Sequence, residues 1–108
     1  MPIYMTQNRY SPEAISHMIN TADGRKDKIA KHIEQVGGRL IDYYFCNGDY
    51  DAIGIYEVPD SETALSLCAA VKAMGFVTEM NTTELFTSEE AATAFKKARD
   101  IKITPPKG

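Results

Sequence analysis

An α+β fold, with a four-stranded antiparallel sheet covered on one face by helices, is the architecture this sequence predicts. Three observations carry it. Two apolar, aromatic-rich runs, residues 40–46 and 52–56, flank Asn47-Gly48, a pair that tolerates the positive φ of a tight turn and signals a hairpin. Two further alternating segments, about residues 3–8 and 76–86, read as strands. Helical stripes with their own start and stop signals separate these strands. The order strand, helix, strand, strand, helix, strand, helix is two strand–helix–strand units joined by a hairpin, the split βαβ or ferredoxin-like arrangement.

The elements follow in order. Ile3 and Met5 alternate with Tyr4 and Thr6 in the first strand. Ser11-Pro12-Glu13 opens a helix, with Ser11 as cap, Pro12 at the first helical position and Glu13 at the positive end of the dipole. Ala14, Ile15, Met18, Ile19 and Ala22 form its apolar stripe, which Ile29, Ala30, Ile33 and Val36 resume after a break. The break is Asp23-Gly24-Arg25-Lys26-Asp27-Lys28, where Gly24 weakens the helix and Arg25 and Lys26 fill core-facing positions, so two helical pieces are expected. Gly37 supplies a left-handed cap. The hairpin strands span about 39–46 and 52–58. Asp60 or Ser61 caps the next helix, in which Ala64, Leu67, Cys68 and Val71 recur at helical spacing until Gly75 stops it. Phe76–Phe86 is the fourth strand. Thr87-Ser88-Glu89-Glu90 matches a capping box for a last helix running to about Arg99. The segment from Ile101, with Pro105-Pro106, reads as an irregular tail.

A chain of 108 residues is read as one domain over 1–108, with a core at about 2–90 and a helix end and tail at 91–108. A formal net charge of −3 argues against a dedicated nucleic-acid binder. Cys46 and Cys68, without CxxC spacing, read as packed reduced thiols of a cytoplasmic protein. Met1-Pro2-Ile3-Tyr4-Met5 lacks the basic flank of a secretion signal. No apolar run approaches the ~20 residues of a membrane span.

The hairpin poses a question about partners. Ile41, Tyr43 and Phe45 share one face of its first strand; Leu40, Asp42, Tyr44 and Cys46 share the other. Ile53 and Ile55 oppose Ala52, Gly54 and Tyr56 on the next. A sheet with one wet face alternates apolar and polar residues, and this one does not. The face away from the helices is therefore expected to be covered by a second copy of the chain, as a homodimer or higher oligomer.

Candidate chemistry is sparse. His17 borders the apolar stripe of the first helix, where it could reach a cavity as base or donor. His32 lies toward the polar side and is expected in solvent. Asp42 sits among apolar neighbours and must be paired or carry a raised pKa. Asp42, Tyr4, Tyr44, Tyr56 and His17 could together line a small-ligand pocket. The basic run Arg25 to His32 is interleaved with Asp23, Asp27 and Glu34 and reads as a solvated helix face. No nucleophile elbow, P-loop, dinucleotide-binding glycine pattern or zinc spacing occurs, and no metal or cofactor is expected.

Gly48-Asp49-Tyr50-Asp51 resembles the Gly-(Glu or Asp)-Tyr-Asp motif of the GYD domain family, small prokaryotic proteins of uncharacterised function. Gly37-Gly38-Arg39-Leu40, Tyr43-Tyr44-Phe45 and Glu57-Val58-Pro59-Asp60 look like the same family. The resemblance covers about residues 2–90; Gln7-Asn8-Arg9-Tyr10 is more polar than the family's usual start. It implies a dimeric α/β-barrel architecture, a group of cofactor-independent monooxygenases, haem enzymes and non-enzymatic ligand binders. The expectation is a homo-oligomer that binds a small ligand or acts through assembly. The alternative is a cofactor-independent monooxygenase or isomerase, with His17 as base and Asp42, Tyr44 or Tyr56 as orienting groups. A haem protein with His17 as proximal ligand is a third option. Read without the family, Gly48 permits the turn, Asp49 or Asp51 closes it through backbone amides, and Tyr50 could lie over the sheet edge.

Overall fold

The computed structural model describes residues 1–107. Its elements are β1 (Ile3–Tyr10), α1 (Pro12–Thr21), α2 (Lys26–Glu34), β2 (Arg39–Phe45), β3 (Ala52–Glu57), α3 (Ser61–Ala73), β4 (Val77–Leu85) and α4 (Ser88–Ala98). The sheet has the order β2-β3-β1-β4 with every neighbouring pair antiparallel, the ferredoxin-like order.

Local chemistry sets the boundaries. The Ser11 hydroxyl accepts the Ala14 N–H at 3.1 Å, and Asp60 Oδ1 accepts the Thr63 N–H at 2.8 Å. Thr87 and Glu90 close the capping box in both directions. Gly37 and Gly75 take φ of +81° and +80°, which ends the preceding helices at little steric cost. Beside Gly37, Gly38 serves close approach: a Cβ there would run into the Glu57 carbonyl oxygen and sit 2.8 Å from Val58 Cγ1.

One local expectation is corrected. The hairpin does not turn on a positive φ at Asn47-Gly48. Among the described residues, positive φ occurs only at Ala22, Arg25, Gly37 and Gly75. Residues 46–51 instead form a wider loop, closed by the Cys46 N–H on the Asp51 carbonyl at 2.8 Å and by the Cys46 thiol on the Tyr50 carbonyl at 2.9 Å. The expected break between α1 and α2 is present, with left-handed residues at Ala22 (φ 51°) and Arg25 (φ 68°).

β1 and β3 send their even-numbered residues to the helices. Tyr4, Ile33, Tyr56, Val58 and Ala64 form one buried cluster. Tyr10, Ala14, Tyr43 and Ala52 form a second, with Leu40 packed against it. Leu40 reaches that side because the β2–β3 register shifts between Leu40 and Asp42. The bulge separates Leu40 from Asp42 and Tyr44, which strict alternation had grouped together.

The odd-numbered residues of β1 and β3 occupy the other face. There Met5 stands opposite Ile55 and Thr83, Ile3 opposite Leu85, and Ile53 opposite Tyr44. None of these is buried in the single chain. α4 buries no residue, and Phe95 on it is 69% exposed. The molecule is long accordingly, at 58 × 33 × 23 Å, with a radius of gyration of 17.3 Å. About 13 Å is usual for a compact domain of this length.

Candidate functional site

Between the sheet and helices α2 and α3 lies a cavity of about 350 Å³. Its walls are largely apolar: Ile29 and Ile33 from α2, Leu67 and Val71 from α3, Met80 from β4. That size and lining suit a small organic ligand. Gly54 opens the floor, since a Cβ at that position would reach 3.4 Å from the Tyr43 ring.

A ring of side-chain hydrogen bonds ties the floor to α3. Thr6 Oγ1 lies 2.8 Å from the Tyr56 hydroxyl and 2.9 Å from Thr82 Oγ1. Cys68 Sγ closes the ring at 3.2 Å from Thr82 Oγ1 and 4.0 Å from the Tyr56 hydroxyl. β1, β3, β4 and α3 each contribute one member. Burial pushes the Tyr56 phenol up to about 12, so at neutral pH it is an uncharged donor or acceptor and not a base. At the other side of the cavity the Tyr10 and Tyr43 hydroxyls meet at 2.8 Å. Burial, then the Tyr10 bond, pushes the Tyr43 phenol well above its ordinary value.

The Gly48–Asp51 loop acts on this cavity from outside. The Asp51 N–H donates to the Asn8 carbonyl at 2.8 Å, and Asp51 Oδ2 accepts the Tyr10 N–H at 2.9 Å. Asp51 thus holds the end of β1 where its register with β4 shifts between Arg9 and Tyr10. Asn8 and Tyr10 both line the cavity. Gly48 and Asp49 are exposed at the tip, and Tyr50 is half-buried.

The GYD domain model matches residues 4–95. The chain belongs to the GYD domain family. The match reaches into α4, further than the residues that carried the resemblance. A comparison with curated proteins finds no match. Among solved structures, this GYD domain is similar to a protein of Thermus thermophilus, at 15% identity and a TM-score of 0.54, over 82% of this chain and 96% of that one. It is similar to a hypothetical protein of Pyrococcus horikoshii at 11% identity and a TM-score of 0.53, over 82% and 93%. An uncharacterized NIPSNAP domain protein of Burkholderia xenovorans stands at 11% identity and a TM-score of 0.51, over 82% and 95%. These likenesses establish the fold.

The GYD structure disperses the pocket expected from sequence. Tyr4 and Tyr56 do share the helix-facing side, with ring centroids 6.1 Å apart. Asp42 and Tyr44 lie on the opposite side of edge strand β2, where the Tyr44 hydroxyl donates to Asp42 Oδ2 at 2.7 Å. That bond, chiefly, raises the Tyr44 pKa. Asp42 also accepts the Tyr43 N–H at 3.1 Å, so the carboxylate is paired by its own strand. His17 is exposed on α1 and does not line the cavity. The imidazole that borders it is His32, read from sequence as a solvent group. His32 is exposed, yet it lies on the flank of α2 that carries Arg25, Ile29 and Ile33, all cavity-lining. The spacing 25, 29, 32, 33 is one helical face, the signal that could have found it. Among the described residues no cluster of His, Cys, Asp and Glu is arranged to hold a metal ion, and no helix is long and apolar enough to cross a membrane.

Proposed function

We propose that this GYD domain is a homo-oligomeric binder of a small apolar molecule, held in the cavity between the sheet and helices α2 and α3. The observation that carries the reading is the cavity itself: about 350 Å³ of largely apolar space floored by a closed ring of hydroxyl and thiol groups. A largely apolar cleft of this size holds its walls against water. A resident ligand covers them. Asp51 serves the site as a positioning residue, through its bonds to Asn8 and Tyr10. Assembly has separate support in the uncovered face, where Ile3, Met5, Ile53, Ile55 and Leu85 stand together in register.

The monooxygenase or isomerase alternative asks for His17 as base beside Tyr56. His17 lies outside the cavity of its own chain, and no observation favours turnover over binding.

Native mass spectrometry of protein purified without denaturant tests both parts. The expected result is a dimer or higher oligomer retaining a small molecule, and loss of that molecule in the Leu67→Trp, Val71→Phe double variant, which fills the space. An empty wild-type protein whose amide spectrum also ignores a short-chain alcohol such as octan-1-ol would sink the binding reading. A monomer at micromolar concentration would sink the assembly reading.

A further inference from the structure

Two polar atoms of the cavity wall stand without a partner. Asn8 Oδ1 on the sheet floor and Arg25 Nε at the start of α2 are sealed from solvent, and neither meets a hydrogen-bonding group of the protein. Buried polar atoms are nearly always paired, because an unmade bond forfeits their hydration.

Among the described residues the guanidinium also forms no ion pair, although its charge, after the bond from Lys28, helps to lower the Asp23 pKa. Asp23 and Asp27 are the nearest carboxylates in sequence; neither forms an ion pair with Arg25, and Asp23 is already engaged. Its Oδ1 accepts the Arg25 backbone N–H at 2.8 Å, and its Oδ2 takes Lys28 Nζ at 2.7 Å. The ion pairs among the described residues are Arg9–Glu79, Lys28–Asp23 and Arg39–Glu57, none of which includes Arg25. Arg25 also holds a left-handed backbone, with φ of 68°. Residues with a side chain rarely adopt it, and such strain concentrates at functional positions.

The geometry points to an apolar carboxylate as the ligand. Its hydrocarbon body lies against Leu67, Val71 and Met80, and its head group rests on Arg25, with the Asn8 side-chain amide as second polar contact. A guanidinium is a planar fork of donors matched to a carboxylate. The Asn8 amide, turned about its terminal torsion, presents N–H to the other oxygen. The inference rests on the cavity being the binding site, and it adds the charge of the occupant.

Octanoate and octan-1-ol, equal in chain length and different in charge, separate the two claims when each is titrated into the intact protein and followed by amide chemical shifts. Octanoate is expected to bind at least about tenfold tighter, the scale of a hydrogen bond to a charged group. Arg25→Gln removes that preference. Equal affinities in the wild type, or a preference that survives Arg25→Gln, would overturn the carboxylate assignment and leave the cavity reading standing. Shifts from neither probe overturn both. If Arg25→Gln does not fold, Asn8→Asp asks the same question: a negative charge added at the head-group site is expected to abolish the preference for octanoate over octan-1-ol, and an unchanged preference overturns the assignment.

Discussion

Asp51 shows how one side chain links the family motif to the cavity. Its backbone N–H and carbonyl bond Asn8 and Cys46, while its carboxylate takes the Tyr10 N–H. A register shift leaves the end of β1 short of ladder partners, and Asp51 supplies one. Asp51→Ala is expected to strand the Tyr10 amide at a cost of about 1–3 kcal/mol. Asp51→Asn keeps a side-chain oxygen and recovers most of that loss. Urea denaturation of the two variants checks the ordering, and equal stabilities for Ala and wild type would remove the clamp from the account. The rest of the motif does different work: exposed Gly48 and Asp49 form the loop tip, and the Tyr50 carbonyl receives the Cys46 thiol. The motif is therefore a fastening whose effect is felt at Asn8 and Tyr10, on the neighbouring strand.

Among the elements, α4 depends most on its own ends, because it buries no residue. Bonds from Thr87, the backbone N–H first, hold the Glu90 carboxyl below its ordinary pKa. A lowered folded-state pKa contributes stability above the ordinary carboxylate range, lost as pH falls through that range and then through the folded value. α4 should fray first on acidification, ahead of the sheet. Amide exchange or helical chemical shifts of residues 88–98 followed from pH 7 to pH 3 read this out, and simultaneous loss of α4 and β1 would contradict it. The same locality explains what could be read in advance. Ser11, Asp60, Thr87, Gly37 and Gly75 act within a turn of where they stand, so their roles show in the sequence. The β2 bulge depends on β3, which lies beyond its own strand, and it reassigns Leu40 from one face to the other. Asn8 and Arg25 line one cavity only because packing brings β1 and the start of α2 to its wall, and Arg25 in sequence sits in a run of mixed charges that reads as solvated surface. His17 and His32 exchange places for the same reason: which flank of a helix borders a cavity is fixed by packing, and both residues adjoin apolar stripes.

For the whole molecule, the two faces of the sheet are unequal in what they leave undone. The helix face carries the buried clusters and the cavity, with Thr82 and Glu84 of β4 exposed at its edge. The other face gathers Ile3, Met5, Ile53, Ile55, Tyr44 and Leu85 with none of the described elements above it; Gln7, Asn81 and Thr83 lie among them, and Asp42, Glu57, Arg9 and Glu79 ring the patch. Edge protection is present where it is needed: β4 carries Glu79 and Glu84, with Glu79 paired to Arg9 at 3.4 Å, and β2 is bulged and bears Asp42. Growth edge to edge is thereby discouraged, and the broad face becomes the place where a second copy gains most. The α4 region points the same way: Phe95 on the helix, Phe86 before it and Ile101 after it are 69%, 64% and 60% exposed in the single chain, area that a second copy would cover. Ile55 stands near the centre of the uncovered face, opposite Met5 and Asp42. A charge placed there would be stranded in a closed dimer and harmless in a monomer. Ile55→Glu is therefore expected to convert a dimer at micromolar concentration into a folded monomer by light scattering, with the helix-side cavity and its ligand retained. A wild-type chain already monomeric in that measurement, or an Ile55→Glu dimer as tight as wild type, would place the assembly surface elsewhere.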